Sequence, residues 1–222
     1  MIITSEDYVA YLNRAAARIS ESRDYVTELD AATGDGDHWV NLNMGFEALT
    51  EAGEELRALP ICETLKRIGM IMMSKIGGSS GILYGGAYLA AARAVAGKET
   101  LDMEGLCLVL TGMVEDMMSR GKAEPGFKTM IDSLYPAAEA FRLALEAGEE
   151  DRNVLERVKT AAEEGAESTR QMEARKGRAS YMLSKGAGHL DPGAVTMSLQ
   201  IGCLCDYLVQ KQLIQEDTLD TV

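Results

Sequence analysis

Leu106-Cys107-Leu108-Val109-Leu110 is the stretch whose assignment settles the fold class. Five apolar residues in a row fit a buried strand as well as a buried stretch of helix, and so short a run has no internal period to separate the two. Its flanks do. Both keep helical spacing, so the run reads as the middle of a helix from about Leu101 to Arg120, and no other segment offers a partner strand. Hairpin signals and fixed-period repeats are missing as well.

Upstream, Ile82 to Val95 is an alanine-rich helix, and Leu65, Ile68, Ile71 and Met72 mark another that stops at Gly77-Gly78. A helix starting near Asp37 or His38 carries Leu42, Met44, Phe46 and Leu49. A shorter one ends at about Ala32, with Gly34 expected at its C′ position. At the start, Thr4-Ser5-Glu6-Asp7 reads as an N-cap with first-turn acids, ahead of Tyr8, Leu12, Ala15, Ala16 and Ile19 on one face. Downstream, Gly121 to Gly126 is a loop, and a helix containing Pro136 spans about Thr129 to Glu146. Another helix spans Asp151 to about Ala174, Gly186 to Gly193 is a second loop, and a final apolar helix runs from Ala194 to Gln212. The expectation is an all-α fold of about eight helices. No Pro/Ser-rich linker divides it, so a single domain over residues 1–222 is expected.

The chain has 35 acidic and 22 basic residues, a net charge of −13. That excess weighs against binding nucleic acid or an anionic membrane, both of which reward Lys and Arg, and it suits a partner with a basic face. Met1 to Asp7 lacks the basic-then-apolar order of a signal peptide, and no apolar run approaches the roughly 20 residues that span a bilayer, so a cytoplasmic protein is expected. Cys62, Cys107, Cys203 and Cys205 form no C-x-x-C pair and the only histidines are His38 and His189, which points to buried, reduced thiols rather than zinc.

Chemistry concentrates in Asp30-Ala31-Ala32-Thr33-Gly34-Asp35-Gly36-Asp37-His38. Three carboxylates brought close repel one another unless something positive sits among them, and glycines permit the sharp turns that bring them close. The candidate is a hard cation, Mg²⁺ first, and magnesium in such a site usually accompanies phosphate. An EF-hand loop from Asp35 fails at Trp39, Val40 and Phe46, no G-x-x-x-x-G-K-[ST] string exists, and no strand precedes the glycines as a dinucleotide fold requires. A solvated acidic turn with Asp37 as an N-cap would account for Asp37 but not for Asp30 and Asp35.

Other segments could complete a phosphate site. Gly77-Gly78-Ser79-Ser80-Gly81 precedes a helix and offers free N–H groups and two hydroxyls, although an ordinary turn would look the same. Arg175-Lys176-Gly177-Arg178 is a basic run in an acidic chain, equally at home facing a helix C-terminus. The His189 to Gly193 loop offers a rigid Pro-Gly turn against a ligand, or merely a connection.

Together these strings resemble the nucleotide-binding (L) subunit of dihydroxyacetone kinase, the DhaL family. The match is carried by Gly34 to His38 with Asn41, Gly77 to Gly81 with Gly85, Ser119 to Gly126, Lys128 to Met130 with Asp132 and Pro136, and Ala174 to Tyr181, followed by Gly188-His189 and Asp191 to Ala194. These motifs keep family order from Asp30 to Ala194. The resemblance implies an eight-helix up-and-down antiparallel barrel with nucleotide (ADP/ATP) bound at one end. It implies that Asp30, Asp35 and Asp37 hold two Mg²⁺ ions on the phosphates, and that His38, Asn41, Ser79, Ser80 and Arg178 surround phosphates or ribose. Gly121 and Met130 would line the adenine pocket, and Asp191, Pro192 and Gly193 would close a capping loop. No catalytic base is expected from such a subunit; Arg178 and the aspartates would stabilise the transferring phosphoryl group. Substrate would sit on a separate dihydroxyacetone-binding K subunit, and a phosphotransferase-system phosphodonor protein would recharge bound ADP. A homodimer is compatible with this.

Three departures stand out. Trp39 adjoins His38 and could wall the nucleotide, touch the partner or pack as core. Phe127 replaces an expected acid, and Leu183-Ser184-Lys185 replaces a Gly-Glu-Arg-like stretch. They leave three alternatives open: an ATP-dependent kinase subunit, a paralogue acting on another short ketose, or a non-catalytic ADP-binding regulatory subunit.

Overall fold

The computed structural model describes residues 1–219. Among them are ten α-helices and no strand, only an isolated antiparallel bridge between Ile3 and Leu101. The helices are α1 (Ser5–Glu21), α2 (Arg23–Thr33), α3 (His38–Glu51), α4 (Gly53–Arg57), α5 (Ile61–Lys75), α6 (Gly78–Ala94), α7 (Met103–Gly121), α8 (Ile131–Glu146), α9 (Asp151–Ser168) and α10 (Pro192–Leu219). Leu106 to Leu110 lies within α7, as its flanks require. Thr4 caps α1 in a full capping box with Asp7.

Eight helices close a ring in the order α1, α3, α5, α6, α7, α8, α9, α10 and back to α1, with the short α2 and α4 attached. Neighbours around the ring run antiparallel. One end is tied by the Ile3–Leu101 bridge, by the N-terminal ammonium on Asp151 (2.8 Å), and by Tyr207 (2.9 Å) and Lys211 (2.6 Å) on Asp7. Tyr8, Phe46, Tyr84, Tyr88 and Phe141 fill the interior and are essentially inaccessible. The helices α5 and α6 approach closely through two glycines: a Cβ on Gly69 or on Gly85 would lie 2.8 Å from the carbonyl oxygen of the other.

Several local expectations need correction. Gly34 does not adopt the left-handed C′ conformation; its φ is −151°, and glycine is needed there because a Cβ would collide with the Asp30 carboxylate. The turn at Gly77 to Gly81 is mostly helix, since α6 already starts at Gly78. The helix expected to reach Ala174 stops at Ser168, followed by a 3-10 turn over Thr169–Gln171. The last helix starts at Pro192, whose missing N–H costs nothing in a first turn. The five-residue α4 lacked the length for its period to show. All four cysteines are free thiols, but only Cys107 and Cys205 are buried; Cys62 and Cys203 are half-exposed.

Candidate functional site

At the other end of the ring four helices begin: α3, α6, α8 and α10. Their positive dipole ends face a common cavity of about 490 Å³. All thirteen residues expected from the sequence to hold metal or nucleotide line it. Asp30, Asp35 and Asp37 enter from the α2–α3 turn, with His38 and Asn41 on the first turn of α3. Ser79 and Ser80 come from the start of α6, Gly121 from the end of α7, Met130 from the start of α8, Arg178 from the basic loop, and Asp191, Pro192 and Gly193 from the start of α10.

The three aspartates offer oxygens that all lie within 4.8 Å of one another. Asp30 is buried while Asp35 and Asp37 are exposed. Asp30 also has a structural role: its Oδ2 accepts the His38 N–H at 2.9 Å and so caps α3, whereas Asp37, at the N-cap position, makes no side-chain cap bond. Arg178 reaches Asp35 at 2.7 Å, so the basic loop meets the acidic turn directly. The hard, all-oxygen donor set fits Mg²⁺, with Asp30 fixed by the fold, and Asp35 and Asp37 at the solvent-exposed side.

His38 Nε2 lies 2.9 Å from Thr196 Oγ1. The same hydroxyl lies 3.2 Å from Gly193 O, so Thr196 ties the imidazole to the first turn of α10. Burial lowers the His38 pKa, against the pull of Asp30 and Asp37. Asn41 reaches across to the α5–α6 turn: a Cβ on Gly77 would come 3.0 Å from its Oδ1. Asp191 caps α10 by accepting the Ala194 N–H at 2.7 Å, and burial raises its pKa to about 7. Asp191 to Gly193 are therefore a helix cap and first turn rather than a free loop. Leu83, Met117, Ala123 and Ile131 give the α6–α8 side of the cavity an apolar wall.

Trp39 is not part of that wall. Its indole N–H donates to Ile19 O at 2.8 Å and Arg23 lies over its ring, so it closes the end of α1. Phe127 supports the basic loop, with the Arg175 guanidinium 5.2 Å from its ring centre. Leu183 is fully exposed beside that loop. Sequence reasoning gave no role to Arg120, held by Asp116 at 2.6 Å on the cavity wall, to Thr196, or to Lys128 and Asp132. Asp132 accepts N–H groups from Gly126 and Thr129 and so shapes the loop before α8. The last two lie inside a matched motif, but a charged side chain is expected at the surface and both are buried.

The DAK2 domain family model matches residues 32–206. The ADP-binding subunit DhaL of the PEP-dependent dihydroxyacetone kinase of Escherichia coli is 37% identical over 204 residues, covering 92% of this chain and 97% of that one. This chain belongs to the DhaL family. A second DhaL, of PEP-dependent dihydroxyacetone kinase 1 from Listeria innocua, is 38% identical over 189 residues, covering 85% and 89% respectively. The fold matches the crystal structure of the dihydroxyacetone kinase from C. freundii in complex with AMP-PNP and Mg²⁺, with a TM-score of 0.68 and 24% identity. That match covers 89% of this DhaL-family chain and 33% of the longer kinase. These DhaL relatives are named as kinase subunits. Among the described residues, no helix is long and apolar enough to cross a membrane.

Proposed function

We propose that this chain carries ADP and ATP on magnesium as the nucleotide subunit of a dihydroxyacetone kinase. The observation that carries the reading is the convergence of Asp30, Asp35 and Asp37 with Arg178 where four helix N-termini meet. Helix N-termini and Arg178 favour an anion; the aspartates oppose one unless cations intervene. Three aspartates carry about three negative charges at neutral pH, and a diphosphate brings roughly three more. Two Mg²⁺ ions bound by the aspartates would neutralise most of that sum and draw charge from the phosphate oxygens. Asn41, Ser79 and Ser80 orient the phosphates, His38 stands among them with its Nε2 committed to Thr196, and Gly121 and Met130 leave room for the base. Asp191 to Gly193 close the site beside Met130.

Phosphoryl transfer depends on positioning and charge stabilisation more than on covalent help, so the nucleotide carrier and substrate holder can be different proteins. The substrate, dihydroxyacetone, would be held on a separate K subunit, and a phosphotransferase-system phosphoprotein would recharge the ADP in place, in the cytoplasm. The names of the DhaL relatives, ADP-binding subunits of PEP-dependent dihydroxyacetone kinases, support the kinase and its division among subunits. Denaturing gently purified protein and analysing the released small molecules tests it: ADP in near one-to-one yield supports a retained coenzyme. An empty protein that turns over free ATP would instead support an exchanging kinase.

A further inference from the structure

Lysine is almost never fully buried unless paired, yet Lys128 is 1% exposed. Its φ is +61°, a left-handed conformation natural to glycine and uncommon for a long side chain. Something must compensate both costs. Its Nζ donates to Thr169 O at 2.6 Å and to His189 O at 2.5 Å. Burial lowers its pKa; nearby Asp191 opposes that, and Arg170 adds to it.

The two carbonyls stand 41 and 61 residues further along the chain, so the ammonium joins segments that meet only in the fold. All three segments lead into the cavity. Lys128 is followed by Thr129 and Met130 on its lining. Past Thr169, the Arg175 N–H donates to Phe127 O at 3.1 Å, and the chain then runs on to Arg178. Past His189, the Asp191 N–H donates to Thr169 Oγ1 at 2.9 Å at the start of α10. The lysine stem is roofed by Gly186 (φ +69°), where a Cβ would lie 3.0 Å from Lys128 Cε and 3.3 Å from Thr33 at the end of α2.

We propose that the Lys128 ammonium is a positioning group: an internal cation that holds the Thr169 and His189 segments together and so keeps Arg178 and the first turn of α10 at the nucleotide cavity. Lys128 itself borders the cavity, but both its Nζ bonds go to backbone oxygens, and its importance for binding rests on the nucleotide reading above.

The full chain tests this with two variants, Lys128→Gly, which relieves the backbone, and Lys128→Met, which keeps the stem without the charge. Affinity for ADP with Mg²⁺ is measured by calorimetry, and loop order by hydrogen exchange at the amides of residues 186–194. Both variants should keep the helical circular dichroism signal, exchange faster at Gly188 and Asp191, and bind ADP roughly ten- to a hundred-fold more weakly. Ethylammonium should restore binding and protection to Lys128→Gly, while tetramethylammonium, a cation without N–H donors, should not. Wild-type-like exchange and ADP affinity within about twofold of wild type in folded Lys128→Met would overturn the proposal, as would equal rescue by both cations. A wild-type chain that takes up no ADP overturns the nucleotide reading instead, and hydrogen exchange then decides by itself whether Lys128 holds the loops.

Discussion

Replacing Asp30 with asparagine and with alanine should give two different proteins. Its carboxylate serves the metal cluster and also caps α3 by accepting the His38 N–H. Asparagine keeps an oxygen for that N–H but loses the charge, so Asp30→Asn should melt close to wild type while losing magnesium-dependent ADP binding. Alanine removes both, and Asp30→Ala should lose a further ~1 kcal/mol of stability, the usual cost of a missing N-cap acceptor. Thermal unfolding and calorimetric ADP titration on each variant check this. The sequence pointed to Asp30 as a ligand through family resemblance and offered Asp37, not Asp30, as the cap. Asp37 holds the N-cap position and Asp30 supplies the bond, because Gly34 lets the turn fold back onto Asp30.

At the scale of elements, the α5–α6 pair carries the Gly77 to Ser80 turn, and its spacing is set by Gly69 against Gly85. Gly85→Ala would place a methyl group against the Gly69 carbonyl and the Met73 side chain. It should cost about 1–3 kcal/mol in denaturant unfolding and weaken ADP binding, because separating the helices displaces Ser79 and Ser80. The start of α10 makes a prediction in pH. Burial holds Asp191 at about 7 against an ordinary 3.8, so between those values the folded chain keeps a proton that the unfolded chain has released. Stability attributable to this group therefore falls as pH rises from about 4 to about 7 and then levels. Asp191→Asn can still accept the Ala194 N–H but does not titrate. Its melting temperature relative to wild type should climb across that window in thermal scans at stepped pH; a constant difference would show that Asp191 titrates normally. Helix identities were legible because a 3.6-residue period is local, whereas α4 was too short to display one and the α10 start was concealed by Pro192-Gly193, which reads as a turn.

Over the whole molecule, an acidic protein of net charge −13 is proposed to retain an anion, and the ring makes that workable by pointing four helix N-termini at one end. Those dipoles do not offset three aspartates and a diphosphate by themselves. Exhaustive EDTA treatment should therefore strip the nucleotide, with magnesium restoring uptake, as followed by the ADP remaining with protein after gel filtration. Nucleotide that stays bound without metal would rule out the three-aspartate clamp. The opposite end, tied by Asp7, Tyr207, Lys211, Ile3 and Leu101, should tolerate such treatment unchanged, since its contacts involve no cluster of carboxylates.

The sequence by itself determined the all-α class, the positions of most helices, the cap at Thr4, and the cast of residues around the cavity. Those properties are written in neighbouring residues: helical period, capping chemistry and motif order need no knowledge of what lies across the fold. Only the tertiary structure decided that Trp39 seals α1 rather than the cavity, and that Lys128 is buried beneath the loops. Each depends on contacts between residues far apart in the chain. A lysine facing solvent and a lysine bonded to two distant carbonyls have the same local pattern, and packing alone separates them.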